Sequence, residues 1–274
     1  MRVILFNDKE NSDCSLRLIN NNRTSTGKTR RYWKIQRFHN FIYNKLSDIL
    51  KDRTKSLELV RTYVYTGKYT PEMMNSFKRQ CGKEIRDMNE LIKQEDSLLE
   101  EINKSEIDGT LKGKIEDHVK ISKGIFTDVK KQKIKAISTH NRKCGGQKDG
   151  FKFFSYQKFF RLRTTPLQAR NCYINQKGVD VKLATDLIQL GYTNAYDIAL
   201  ILTGDTDLIE SVKLIREKLG KIVIICSYFD EHDKTNSTIS EVLFKEADTF
   251  INLKLLNDEE IKSFSDEFIE KKVL

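Results

Sequence analysis

Residues 196–221 read YDIALILTGDTDLIESVKLIREKLGK. An apolar run, Ile198-Ala199-Leu200-Ile201-Leu202, stops abruptly at Thr203-Gly204-Asp205-Thr206-Asp207, and an amphipathic helical pattern follows at once. A run that is apolar at every position predicts a strand buried on both faces, as in a parallel sheet. Gly204 permits a tight exit from it. Asp205 and Asp207 are thereby placed at the carboxyl end of a strand, where open α/β sheets bind ligands. Two carboxylates held together there repel each other unless a cation lies between them. Either aspartate could instead cap the helix that follows, but a pair directly after an apolar strand and a glycine favours a metal site.

The rest of the chain supplies the partners such a strand needs. Residues 3–6, 57–65 and 221–227 are short apolar or β-branched runs and predict further strands, with a last one at 249–253. Helical periodicity marks 31–50, 181–190 and 238–245. Strands alternating with helices predict a mainly parallel sheet with helices on both faces. Residues 72–107 and 111–137 each carry an apolar stripe and are separated by Asp108-Gly109, so they predict a long helical hairpin. Residues 141–150 (NRKCGGQKDG) predict a flexible basic loop. Residues 151–167 are strand-like and aromatic, and the tail from Asn257 reads as an acidic amphipathic helix.

Charge is unevenly distributed. The net charge is +10, which predicts a polyanionic partner. Residues 23–61 hold eleven Lys/Arg against three Asp/Glu, and residues 112–170 hold sixteen against four. From residue 196 to the end the balance reverses, with ten against seventeen. Carboxylates that hold metal, flanked by basic segments that hold phosphate, would have this layout. No apolar stretch approaches the roughly 20 residues of a membrane span, so no membrane partner is expected. The N-terminal MRVILFND reads as a first core strand rather than a signal peptide. Five scattered cysteines without CxxC spacing argue against a disulfide framework and a zinc site. A reducing, cytoplasmic setting fits.

Two further aspartates sit at element ends. Asp8 closes the first strand in FNDKEN (6–11), and Asp180 opens a helix in QKGVDVKLATDLI (176–188). In a doubly wound sheet with the first and fourth strands adjacent, they converge on Asp205 and Asp207. Hard divalent cations take oxygen ligands of this kind. Together with the 196–221 segment and FKEADTFINL (244–253), these pieces resemble the NYN family, the LabA-like branch of the PIN-like nuclease superfamily. The resemblance covers about a third of the chain. It implies a PIN-like α/β fold and Mg²⁺- or Mn²⁺-dependent RNA cleavage. Its acidic, metal-holding site maps onto Asp8, Asp180, Asp205 and Asp207, with Asn11 beside the first and Asp248 as a supporting residue; Thr203 and Asn11 would orient ligands or water. The first motif departs from the family pattern, since Asn7 precedes Asp8 and Lys9 follows it.

The expected domains are a discontinuous NYN/PIN-like unit at 1–70 and 151–256, an inserted helical hairpin and basic loop at 71–150, and an acidic C-terminal helix at 257–274. Ser25-Thr26-Gly27-Lys28-Thr29 is not a phosphate-binding P-loop, because Asn22 stands where its first glycine would be. Lys28, Arg30 and Arg31, as a basic loop, and Lys158, Arg161 and Arg163, in an aromatic–basic segment, are the candidate contacts to nucleic acid. Trp33 fits a core stripe better than a base-stacking role. Such a mixture suits single-stranded or structured RNA, although a strand burying one aromatic face explains 151–167 equally well. The hairpin stripes predict packing surface, which could pair two copies of the chain or clamp substrate with the basic face of residues 111–137, and the basic region 130–170 would carry the RNA backbone. The sequence therefore predicts a divalent-metal-dependent ribonuclease. The alternatives are a non-catalytic RNA-binding or assembly module of the same fold, or a DNA-directed nuclease in a bacterial defence or toxin system.

Overall fold

A computed structural model describes residues 1–23, 29–52 and 56–269, with side chains outside 21–32 and 267–269. The first elements are β1 (Arg2–Asp8), α1 (Lys9–Arg23), β2 (Thr29–Trp33), α2 (Ile35–Leu50) and β3 (Glu58–Lys68). Two long helices follow, α3 (Pro71–Lys104) and α4 (Gly109–Ser155), then β4 (Phe160–Pro166), β5 (Gln168–Arg170) and β6 (Tyr173–Asn175). The chain continues through α5 (Val179–Tyr192), β7 (Ile198–Leu202), α6 (Ile209–Lys213), β8 (Ile222–Ser227) and α7 (Glu241–Lys245). It closes with β9 (Thr249–Asn252), α8 (Asp258–Phe264) and β10 (Ser265–Ile269).

Six strands form a parallel sheet in the order β4-β3-β1-β7-β8-β9. β1 lies between β3 and β7, with Asn7 opposite Leu202. Burial explains the two-sided cover. Val3 and Leu5 of β1, Leu200 of β7 and Ile224 of β8 face a core with Leu16, Phe38, Ile42, Leu46, Ile261 and Phe264 from α1, α2 and α8. Ile4 and Phe6, Ile201 and Ile225 face a second core with Leu183, Leu187, Val212, Ile215 and Leu243, from α5 to α7. Side chains alternate across a strand, so unbroken apolar runs supply both cores. The α/β class and the helical cover on both faces are those expected from the sequence. Among the described residues, no helix is long and apolar enough to cross a membrane.

The chain divides into two compact units. The first holds Met1–Thr66, Phe154–Thr165 and Gly178–Leu274 and carries the sheet; the second holds Gly67–Phe153 and Pro166–Lys177. In the second unit α3 and α4 run antiparallel. Lys133 Nζ lies 2.8 Å from Glu84, Lys123 pairs with Asp96, and Lys112 Nζ donates to the Asn103 carbonyl at 3.0 Å. Thr70 caps α3 by accepting from the Met73 N–H, and Pro71 starts it. Met73, Met74, Phe77, Cys81 and Cys172 form a small core with Ala136 and Ile137. Asn171 and Cys172, at φ 49° and 57°, make the β5–β6 turn. The left-handed turn is held by its side chain: Cys172 is buried, and its thiol donates to Glu84 Oε1 at 2.9 Å.

Several local expectations are corrected. Residues 141–150 are not a loop but lie inside α4. Their core-side positions, Cys144 and the Gln147 that donates to the Gly67 carbonyl, reward the helix despite three glycines. Of residues 151–167, the start is the last turn of α4, and only Phe160–Pro166 is a strand. The acidic tail is a helix only over Asp258–Phe264, where Asn257 and Glu260 form a capping box. Ser265–Ile269 instead pairs antiparallel with Thr29–Trp33. That pairing also replaces the expected basic loop: Arg30 and Arg31 lie in a strand, and Lys28 lies outside the described residues. Trp33 packs on the first core and stacks on Phe264, at 5.8 Å between centroids, but from this strand rather than from a helix.

Candidate active site

The sheet brings its two central strands to one rim. β1 ends at Asp8, and β7 ends at Leu202, one step before Thr203 and Gly204. Gly204 has no alternative, because a Cβ there would lie 1.7 Å from the Thr238 carbonyl oxygen. The segment around Thr238 crosses close over this turn. Its carbonyl accepts from Asn11 Nδ2 at 3.2 Å, and its hydroxyl lies 2.6 Å from Ser15 Oγ and 2.7 Å from Ser227 Oγ. Beyond Gly204, the Asp205 carboxylate accepts the Asp207 N–H at 3.0 Å and caps a 3-10 turn, Thr206–Leu208. Asp205 thus acts as a cap while leaving its second oxygen for other work. The buried Thr203 hydroxyl accepts the Asp205 N–H at 3.3 Å and fixes the turn further.

Asp180 reaches the same rim from α5. Gly178, at φ 76°, turns the chain into that helix, and Asp180 sits in its first turn, where a carboxylate suits the helix dipole. Asp180, Asp205 and Asp207 each offer a carboxylate oxygen, all within 4.8 Å of one another. Burial raises the Asp180 pKa first, and the charges of Asp205, Asp207 and Glu10 raise it further.

Asp8 lies at the end of β1 beside Asp180. Its Oδ1 accepts the N–H groups of Glu10 at 3.0 Å and Asn11 at 3.4 Å, which makes it the effective cap of α1. Burial dominates its ionisation and, with the Asp180 charge, pushes its pKa up to about 7 against the lowering by its backbone hydrogen bonds. Asn11 donates to Thr238, while its Oδ1 is buried and finds no partner among the described residues. Lys9, next in sequence to Asp8, pairs with Asp13 one turn along α1.

These residues test the fit of a divalent cation. Three like charges converge, and a hard amide oxygen is buried without a donor nearby. All available donors are oxygens, the ligand set of Mg²⁺ and Mn²⁺ rather than of soft metals. The residues therefore fit a hard cation.

Beneath the rim lies a buried group that sequence reasoning missed. Ser12 Oγ donates to Asn7 Oδ1 at 2.7 Å, which turns the Asn7 amide nitrogen toward His39 Nε2, 2.7 Å away. Nε2 must then accept, so the imidazole is neutral with its proton on Nδ1. Burial drives the His39 pKa down to about 3. The ring stacks on Phe160 at 5.5 Å, and Nδ1 has no partner among the described residues. The only sequence signal was the unusual Asn7 before Asp8.

Other expected site residues lie elsewhere. Asp248 does not join the rim: its carboxylate accepts the Val223 N–H at 2.7 Å, at the start of β8 and so at the opposite end of the sheet. Arg163 is occupied, with Nε 3.0 Å from Asp186 Oδ2 and its guanidinium 5.0 Å over the Tyr63 ring. Tyr65 donates to the same carboxylate at 3.0 Å. Lys158 and Arg161 are exposed, Arg161 donating to the adjacent Phe160 carbonyl at 3.1 Å.

No curated protein sequence matches the chain. A crystal structure of a protein of unknown function from Vibrio parahaemolyticus is similar over 97% of this chain and 96% of that one, at 13% identity and a TM-score of 0.41. The NYN domain matches residues 87–256, more than half of the chain, a span that includes Asp180, Asp205 and Asp207 but begins after Asp8 and Asn11. On that match, together with the parallel sheet and the aspartate triad at its rim, the chain belongs to the NYN domain family of the PIN-like nuclease superfamily.

Proposed function

We propose that this protein is a divalent-metal-dependent ribonuclease. The observation that carries the reading is the convergence of the Asp180, Asp205 and Asp207 carboxylates within 4.8 Å at the carboxyl rim of the sheet. Like charges are costly at that range, and no lysine or arginine is paired with any of the three among the described residues. These residues would hold Mg²⁺ or Mn²⁺. When bound, the ion supplies Lewis-acid stabilisation of phosphoryl oxygens and lowers the pKa of water.

The chain's own groups supply the rest. Thr203 and the cap hydrogen bond fix the Asp205–Asp207 turn and orient the Asp205 carboxylate. Asn11 offers a buried amide oxygen toward the same end of β1. Asp8, with a pKa of about 7, can hold or release a proton near neutral pH. Oδ1 is taken up by two backbone N–H groups, so Oδ2 is the atom that carries it. The Asn7–His39 pair is buried, with Asn7 next to Asp8 in sequence at the end of β1. Lys158 and Arg161 remain as contacts for the RNA backbone. Leu111, Ile121 and Ile125, all more than half exposed on α4, are the surface through which two copies would pair.

The test is cleavage by the pure full-length chain. Single-stranded RNA, duplex RNA and DNA are incubated with Mg²⁺ or Mn²⁺, and in parallel with EDTA. RNA cleavage that EDTA abolishes is expected. Asp205→Asn and Asp207→Asn should each lose about 100-fold or more in rate, with unchanged circular dichroism. Undiminished cleavage by both variants contradicts the site assignment. Activity confined to DNA contradicts the substrate.

A further inference from the structure

The second unit carries a charged surface that the rim chemistry does not use. α4 holds twelve Lys/Arg against four Asp/Glu, whereas α3 holds six against eight. The excess is not uniform around the helix. Lys131, Lys135, Ser138, Thr139 and Arg142 follow at i, i+4, i+7, i+8 and i+11 and so share one face. With Ile134 they line a shallow depression of about 400 Å³. The packed face of the same helix is different: Lys133 pairs with Glu84, and Ala136, Ile137 and Cys144 join the small core. The cations of the outer face are thus surplus to the fold. Lys131 has Asp128 at 3.5 Å, an exposed pair of little weight. Lys135 and Arg142 have no carboxylate at ion-pair distance among the described residues. Asp149, two turns beyond Arg142, is the other acid of this stretch.

The chemistry of the face narrows its partner. From Lys131 to Arg142 the rigid helix spans about 16 Å. It presents cations and hydroxyls in a row, which match phosphate oxygens and ribose hydroxyls. Proteins that grip single strands add aromatic platforms for stacking bases; this face has none, and its one apolar residue is Ile134, 49% exposed. A surface that touches backbone but not bases suits a helix whose bases are already paired. We infer that the outer face of α4, through Lys131, Lys135 and Arg142 with Ser138 and Thr139, binds the sugar-phosphate backbone of double-stranded RNA without reading its sequence. This rests on the ribonuclease reading for its choice of RNA, and it makes the second unit a handle for structured substrate.

The experiment separates binding from cleavage. The full-length chain is titrated in EDTA against a fluorescein-labelled RNA duplex of about 20 base pairs, the matching unstructured single strand and a DNA duplex, with fluorescence anisotropy as the readout. The triple variant K131E/K135E/R142E is compared with K218E/K245E/K262E, which changes the net charge equally at other exposed lysines. Expected is a loss of at least tenfold in duplex RNA affinity for the first triple at 100 mM salt, and less than threefold for the second. The log–log salt slope should fall by about 2 to 3 for the first triple alone, as for three lost phosphate contacts. The milder K131Q/K135Q/R142Q, checked by circular dichroism, should show the same order of effects. Equal losses in both triples, no loss in either, or tighter binding of the single strand or of DNA than of duplex RNA overturns the inference. Failure here leaves EDTA-sensitive cleavage and its loss in Asp205→Asn untouched, so the two readings fail separately.

Discussion

The carboxyl rim of the sheet and the helical hairpin treat charge in opposite ways. In the hairpin, opposite charges meet across the two helices in Lys133–Glu84 and Lys123–Asp96. At the rim, Asp180, Asp205 and Asp207 converge with the same sign, beside a buried Asp8 whose pKa is raised. The hairpin arrangement is what stability alone selects. The rim arrangement opposes stability, and the large two-sided core beneath it holds it in place. Real proteins break a local rule chiefly where function demands it, and the contrast supports the proposal that the rim is the functional site.

That contrast can be broken at several points. The largest expected effect lies under the rim. His39 ionises near 3 in the fold and near 6.5 when unfolded. The unfolded state therefore binds the extra proton between those values, so stability is full above pH 6.5 and falls as pH drops toward 3. The ceiling is about 5 kcal/mol. Asp8 acts in the reverse sense between about pH 4 and 7, because its raised pKa favours the fold on the acid side. Chemical denaturation of His39→Gln against the wild type from pH 7 to 4 should show the wild type losing its advantage as pH falls. A constant difference across that range would mean that His39 is not buried neutral.

Next is the choice between the small hairpin core and the core of the sheet. Phe77→Ala, in the hairpin core, should cost about 3–5 kcal/mol, and Leu183→Ala, beneath the rim, about 2–5 kcal/mol. Native-state hydrogen exchange should place the Phe77→Ala loss in amides of α3 and α4, and the Leu183→Ala loss in the sheet. Spread of the Phe77→Ala effect evenly over both units would erase the distinction. Gly204→Ala forces a Cβ against the Thr238 carbonyl and should cost about 3 kcal/mol, visible as a lowered midpoint in urea. A smaller effect follows from ligand linkage. At ten times its Kd, Mg²⁺ or Mn²⁺ should stabilise the wild type by about 1.4 kcal/mol, a rise in Tm of about 2 °C. The shift should vanish in Asp205→Asn and persist in Glu84→Gln. Glu84→Gln itself, at a partly exposed pair, should cost only about 1 kcal/mol.

Much of the rim was legible in the sequence because each of its parts ends a strongly patterned element. β1 holds an unbroken apolar run, Val3–Phe6, β7 is apolar throughout, and the Thr203–Asp207 turn follows β7 directly. The hairpin was legible from its stripes. Features fixed by distant partners were not. The pairing of Ser265–Ile269 with Thr29–Trp33 joins two polar segments at opposite ends of the chain, and neither carries a strand pattern strong enough to predict it. The α1 helix escaped because KENSDCSLRLINNNR holds only a few apolar residues, of which Leu16 and Ile19 face the core. Gly145, Gly146 and Gly150 disguised the end of α4, although they meet no side chain there. Arg163 looked free for phosphate only because Asp186 and Tyr63 could not be seen beside it. Asp248 shared a recognisable segment with β9, and only the direction of the sheet reveals that it lies at the wrong end.

Whether the three rim aspartates hold a hard divalent ion decides the function proposed for the rim. The most direct measurement is anomalous diffraction from crystals of the full-length chain soaked in Mn²⁺. Expected is a peak bounded by carboxylate oxygens of Asp180, Asp205 and Asp207, absent in Asp205→Asn. A fully soaked crystal with no density between those three carboxylates, or with Mn²⁺ bound only elsewhere, would contradict it.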